Sequence, residues 1–204
     1  MNILIVVAHP NTGSFNHAIA HAAADAARAE GHTVVLHDLY AEQFDPLMLA
    51  EEFPKDAPLP PQVARHCEHL RAADGLVIAH PNWWGQPPAI LKGWIDRVVR
   101  PGVAYEFRAG DGGEGVPVGL LKLRAAIVFN TANTPPERET ALFGDPLEAI
   151  WMKCVFGLCC VPNAERRVFS VVIASTAGER AAWLEEVRAA VRNRFPPDRT
   201  GARG

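Results

Sequence analysis

Two short segments gather residue types suited to holding a phosphate and a planar ring. The first, Ala8-His9-Pro10-Asn11-Thr12-Gly13-Ser14-Phe15-Asn16, leaves an apolar β-branched run and enters an alanine-rich stretch. Backbone amides at such a helix entrance lack internal acceptors and sit at the positive end of the helix dipole, so together with nearby hydroxyls they form an anion cradle. Ser14 also reads as a plain helix cap, and His9, Thr12 and Asn16 beside it favour the cradle. The segment is neither the Gly-x-Gly-x-x-Gly dinucleotide fingerprint nor a lysine-bearing P-loop. The second segment, His80-Pro81-Asn82-Trp83-Trp84-Gly85-Gln86-Pro87-Pro88, combines two tryptophans, a glycine and three prolines. A stiff backbone of this kind can offer amides to a flat ring, although aromatics there are also ordinary packing groups.

The elements that must position these segments are legible as alternating strands and helices. Apolar runs without polar alternation at Ile3 to Ala8, Thr33 to Leu36, Gly75 to Ala79, Ala125 to Phe129 and Arg167 to Ile173 predict five strands buried on both faces. Helices are expected over Ser14 to Arg28, Pro61 to Ala73, Ala89 to Val99, Asp145 to Leu158 and Gly178 to Phe195. Strands joined in this way form a parallel sheet with right-handed crossovers and helices on both faces, here expected in the order 2-1-3-4-5. In such sheets ligands lie beyond the carboxyl ends of the strands, where the strand order reverses. That singles out the loops 8–15, 80–88 and 130–144. Pro101 to Leu121, with Gly110, Gly112, Gly113 and Gly115, is expected to be a long mobile excursion, and Pro196 to Gly204 a polar, disordered tail after a single domain over 1–195.

The chain of 204 residues carries a formal net charge of -3 and 49% hydrophobic residues, enough for one core and without the basic field that nucleic acid requires. It shows neither a secretory leader nor an apolar run long enough to enter a membrane, so a cytoplasmic location is expected. Cys67, Cys154, Cys159 and Cys160 lack metal-site spacing and read as buried free thiols, and no metal is expected.

The second segment continues as Ala89-Ile90-Leu91-Lys92-Gly93-Trp94-Ile95-Asp96-Arg97-Val98. With that continuation, with Ala8-His9-Pro10 and Ser14-Phe15-Asn16, and with Thr131-Ala132-Asn133, the chain from Met1 to about Phe195 resembles the flavodoxin-like NAD(P)H:quinone oxidoreductases. These include the DT-diaphorases and the ancillary oxidoreductases of potassium-efflux systems. The resemblance implies a flavin, FAD or FMN, that accepts hydride from NADH or NADPH at N5 and passes it to a quinone-like acceptor in a ping-pong cycle. It implies that His9, Gly13, Ser14, Phe15 and Asn16 hold the flavin phosphate and ribityl chain. Pro81, Asn82, Trp83, Trp84 and Gly85 then line the ring, with amides near Trp84 and Gly85 directed at its N5 and O4 edge, and Thr131, Ala132 and Asn133 meet its pyrimidine edge. Tyr105 and Phe107 match an aromatic pair that walls the substrate pocket across a homodimer interface, and the apolar stretch Trp151, Met152, Val155, Phe156 fits either that interface or core. The family's tyrosine and histidine are missing: Phe143 falls at or near the histidine position, and Arg138 is the candidate replacement as a charge stabiliser. The same resemblance also fits a flavin-bearing regulatory subunit of a membrane partner such as a potassium-efflux system.

Overall fold

Ile3, Leu4, Ile5, Val6 and Val7 are all buried, because the strand that carries them lies inside a sheet covered on both faces. The computed structural model describes residues 1–107 and 117–197. Its strands are β1 (Asn2–Val7), β2 (Thr33–Asp38), β3 (Gly75–Pro81), β4 (Tyr105–Phe107), β5 (Pro117–Gly119), β6 (Ala125–Ala132) and β7 (Ala164–Ser170). The main helices are α1 (Phe15–Ala29), α2 (Pro61–Ala72), α3 (Ala89–Val98), α4 (Pro136–Phe143) and α5 (Ala177–Arg194). Five strands form one parallel sheet in the order β2-β1-β3-β6-β7, which is the expected winding once the β4-β5 hairpin is set aside. α2 and α3 cover one face over a core that includes Leu70, Leu91 and Trp94. On the other face α1 and α5 enclose Ile5, Ile19, Phe129 and Val187. Among the described residues no helix is long and apolar enough to cross a membrane.

Five expectations need correction. The loop 130–144 contains α4, whose first residue Pro136 suits a helix start, while Gly144 closes it in the left-handed region at φ 70°. The stretch after Asp145 is not one α-helix, since Ala149–Val155 winds as a π-helix between two short α-helical turns. The last strand lies three residues earlier than expected: Ala164–Ser170 pairs with β6, and Val171, at φ 54°, breaks the run so that Val172–Ala174 forms a 3-10 turn. The excursion after Pro101 holds the antiparallel pair β4-β5, while its glycine cluster and most of the expected tail lie outside the described residues. Of the cysteines, Cys67 and Cys159 are buried, whereas Cys154 and Cys160 are exposed, contrary to the reading of all four as core.

Candidate functional site

β1, β3 and β6 stand side by side, so the segments that follow them open at one edge of the sheet, where β2 and β3 flank β1 on opposite sides. Two cavities lie there, of about 500 Å³ and about 330 Å³, and both are lined by Asn82, Ala132, Asn133 and Thr134. The smaller one adds His9, Ser14, Phe15, Asn16, Pro81, Trp83, Thr131, Val172 and Ile173. The larger adds Trp84, Gly85, Glu139, Phe143 and Pro146. Apart from Gly13, every residue expected to hold phosphate, ribityl chain or ring therefore lines this paired cavity.

The first loop is shaped by its own side chains. Gly13 N–H donates to Asn11 Oδ1 at 2.9 Å, and Asn11 N–H donates to His9 Nδ1 at 3.1 Å, so a neutral His9 carries its proton on Nε2. Partial burial holds the His9 pKa below the usual 6.5, against the opposing pull of Asn11 O, which lies 3.3 Å from Nδ1 and accepts from the protonated ring. Ser14 does cap α1, accepting from the His17 amide, and its Oγ also lies 2.9 Å from His17 Nδ1, while His17 Nε2 donates to Asp38 on β2 at 2.9 Å. The amides of Phe15 and Asn16 in the first turn have no acceptor among the described residues, which leaves the positive end of α1 open to an anion. Asn16 is buried and donates to Thr131 Oγ1 at 3.0 Å, joining the first loop to the end of β6 across the sheet.

The second loop turns on two residues in the left-handed region, Trp84 at φ 59° and Gly85 at φ 70°. Trp83 and Gln86 close the turn with reciprocal backbone hydrogen bonds of 3.1 Å and 3.0 Å, the pattern of a two-residue hairpin turn with positive φ at both centres. Asn82 braces it from within: Oδ1 accepts the Gly85 amide at 2.9 Å, Nδ2 donates to Glu139 Oε1 at 3.0 Å, and its own amide donates to Thr131 O at 2.7 Å. The Gly85 amide is thus already engaged, whereas the Trp84 amide has no acceptor among the described residues. The Trp84 side chain is 100% exposed, an unusual position for the largest apolar side chain.

Behind the loop, a buried relay holds it to β6 and β7. Fully buried His80 donates from Nδ1 to Pro81 O at 2.8 Å and accepts at Nε2 from Asn130 at 2.8 Å and Trp151 at 2.9 Å. With two donors aimed at Nε2 of a ring that is 0% exposed, the imidazole stays neutral, and burial above all pushes its pKa down to about 4. Asn130 Oδ1 in turn accepts from Arg166 at 3.0 Å, and Arg166 pairs with Asp145 and Glu148. Asp145 precedes Pro146, whose ring packs on Gly85 so closely that a Cβ there would meet it at 3.0 Å. No local signal in the sequence marks His80, Asn130 or Arg166 as partners.

Other expected residues sit apart. Tyr105 lines a separate apolar cavity of about 270 Å³ with Gln86, Ile95, Cys154 and Cys159, and Phe107 is exposed beside it, so within one chain neither walls the larger cavity. Trp151 and Phe156 belong to the core, which leaves only Met152 and Val155 of that stretch partly accessible. Arg138 is exposed on α4 and lines neither cavity of the site; its neighbour Glu139 does line the larger one. The sequence reading passed over Glu139, although a Pro-Pro start followed by Glu-Arg-Glu and a closing Gly144 is a helix signature that places Glu139 one turn from Pro135.

Away from this site, His37, Glu42 and His66 bring three potential metal ligands within 4.8 Å of one another. The hydrogen bonds speak against a cation. Glu42 accepts from His37 Nδ1 at 2.7 Å and from His66 Nε2 at 3.0 Å, while Trp94 Nε1 donates to His66 Nδ1 at 3.0 Å. A metal on His66 Nε2 would move the ring proton to Nδ1 and set it against the indole N–H. The cluster ties α2 and α3 to the end of β2.

Residues 1–194 match the family of the flavodoxin-like fold. An uncharacterized NAD(P)H oxidoreductase of Haemophilus influenzae is 31% identical over 189 residues, which span 91% of each chain. NAD(P)H dehydrogenase [quinone] 1 of Rattus norvegicus is 37% identical over 123 residues, 51% of this chain and 45% of its own length. Among solved structures, the NAD(P)H:quinone oxidoreductase of Methanothermobacter marburgensis superposes with a TM-score of 0.81 at 27% identity, covering 95% of this chain and 96% of that one. The chain belongs to the flavodoxin-like family and, with these relatives, to its NAD(P)H oxidoreductase branch.

Proposed function

We propose that the chain binds a flavin in the paired cavity and works as a cytoplasmic NAD(P)H-dependent reductase of quinone-like acceptors. The observation that carries this reading is the continuity of the site: open amides at the start of α1 lead through Asn16, Thr131 and Asn82 to a cavity walled by Trp84, Phe143 and Pro146. An anionic tail fits one end and a flat ring the other. When bound, the flavin supplies the hydride-accepting and hydride-donating chemistry. The overall reaction takes hydride from NAD(P)H and a proton from solvent, and reduces a quinone to its hydroquinone.

In this reading His9, Ser14, Phe15 and Asn16 hold the phosphate and ribityl chain, with Gly13 shaping their loop. Pro81, Asn82, Trp83, Trp84 and Gly85 bracket the ring, and Thr131, Ala132 and Asn133 border its polar edge. The free Trp84 amide, rather than the engaged Gly85 amide, is the donor offered to the ring. Arg138, exposed on α4, reaches the site only by reorienting. A homodimer completes the cavity, with Tyr105 and Phe107 of one copy facing the larger cavity of the other; their partial exposure on β4 supports this.

The test begins with the visible spectrum of the purified protein, followed by the mass of the group released on heating, which distinguishes FMN from FAD. Rapid mixing with NADH or NADPH should bleach the flavin, and a quinone should restore its colour. A colourless protein that takes up neither flavin would overturn the proposal.

A further inference from the structure

We infer that Glu139 makes the larger cavity select acceptors without negative charge, favouring cationic quinones over neutral ones and neutral over anionic ones. The inference rests on the reductase reading above and adds a substrate class to it.

Among the described residues that line the cavity, Glu139 is the one with a formal charge; the others are Asn82, Trp84, Gly85, Ala132, Asn133, Thr134, Phe143 and Pro146. Its position is fixed. Asn82 Nδ2 holds Oε1 at 3.0 Å, and Asn82 is itself braced by the Gly85 and Thr131 backbones, which anchors one carboxylate oxygen at the cavity wall. Oε2 has no hydrogen-bond partner among the described residues, which leaves a free carboxylate oxygen on a wall that also carries Asn82, Asn133 and Thr134 beside Trp84, Phe143 and Pro146. The nearby acids Asp145 and Glu148 share one cation, Arg166, and line the cavity with no side chain, while Arg138 is exposed on α4 without lining it either. With the flavin ring bracketed by the second loop, an acceptor stacking on the ring's open face approaches this negative charge with no lining cation to offset it. Glu139 is half-buried, so the discrimination exceeds that of a fully exposed carboxylate.

The experiment compares three quinones with the same ring and a short alkyl tether ending in a methyl, a sulfonate or a quaternary ammonium group, which keeps their ring potentials matched. Two readouts are taken at low ionic strength: kcat/KM with NAD(P)H, and Kd from quenching of tryptophan fluorescence. We expect about tenfold between successive members in the order cationic, neutral, anionic, shrinking as salt is added. Glu139→Gln keeps an oxygen acceptor for Asn82 and removes the charge, so the order should compress to about twofold. Glu137→Gln makes the same charge change on an exposed position of α4 outside the cavity, and the order should survive.

An order that is absent in the native protein, or that persists in Glu139→Gln, overturns the inference while leaving quinone reduction intact. A charge order in Kd without turnover of any quinone upholds the selectivity and removes the reductase reading instead.

Discussion

Replacing Trp84 by asparagine should stabilise the ligand-free protein, although it deletes the largest side chain of the second loop. Trp84 is held at φ 59° and its indole is 100% exposed, so its left-handed backbone is not offset by burial. Left-handed backbone costs an ordinary L-residue roughly 1–2 kcal/mol, and asparagine is among the few side chains that tolerate it. Asn-Gly is also the favoured pair at the centre of this hairpin turn. The expected gain is about 1 kcal/mol, which for a chain of this length raises Tm by about 2–3 °C. Trp84→Phe, which keeps a side chain unsuited to that conformation, should show no such gain. Scanning calorimetry of protein stripped of bound ligand measures the effect. Flavin affinity, titrated separately on the same variants, should fall about tenfold for Trp84→Asn and little for Trp84→Phe, as expected of an aromatic surface worth about 1 kcal/mol or more to a stacked ring. A Tm that is unchanged or lower in Trp84→Asn would refute the reasoning, because it would mean that the indole is packed or the turn unstrained.

Two further predictions concern the buried polar groups. His80 is neutral in the folded protein with a pKa of about 4, while the unfolded chain protonates near 6.5, so its contribution is complete above pH 6.5 and is lost as the pH falls toward 4. At pH 5 that amounts to about 2 kcal/mol, and His66, also held low at about 4, acts in the same direction. Denaturant midpoints between pH 7 and pH 4.5 should drop accordingly, and a flat profile would contradict the buried neutral imidazoles. Glu52→Ala takes from the Arg97 guanidinium, 2% exposed, the carboxylate it meets at 2.6 Å and 3.0 Å and leaves it only the more distant Asp45 carboxylate at 3.5 Å. A loss of about 3–5 kcal/mol is expected from urea unfolding, and a loss below about 1 kcal/mol would mean that water reaches the pair.

The sequence by itself determined the sheet and the loops that gather at the candidate site. Strands buried on both faces leave continuous apolar runs such as Ile3 to Ala8 and Gly75 to Ala79, and alternating strands and helices admit few windings, so the order and its switch point were readable. The first two loops followed, because Ser14 at a helix entrance and Trp83-Trp84-Gly85 after a strand act through local backbone chemistry. α4 was missed because it buries no residue and so carries no apolar periodicity, leaving only its Pro-Pro start and Gly144 to mark it, and the π-wound segment because apolar spacing does not separate α from π winding. Only the tertiary structure decided which distant groups meet. Asn16 finds Thr131, His80 finds Asn130 and Trp151, and Asn82 finds Glu139, pairs 50 to 115 residues apart. Such pairings depend on strand register and on how each helix seats on the sheet, and neither leaves a local periodic trace. The first loop could therefore be read for its anion chemistry from its own residues, while the Glu139 charge at the larger cavity came into view only once α4 was packed against the second loop.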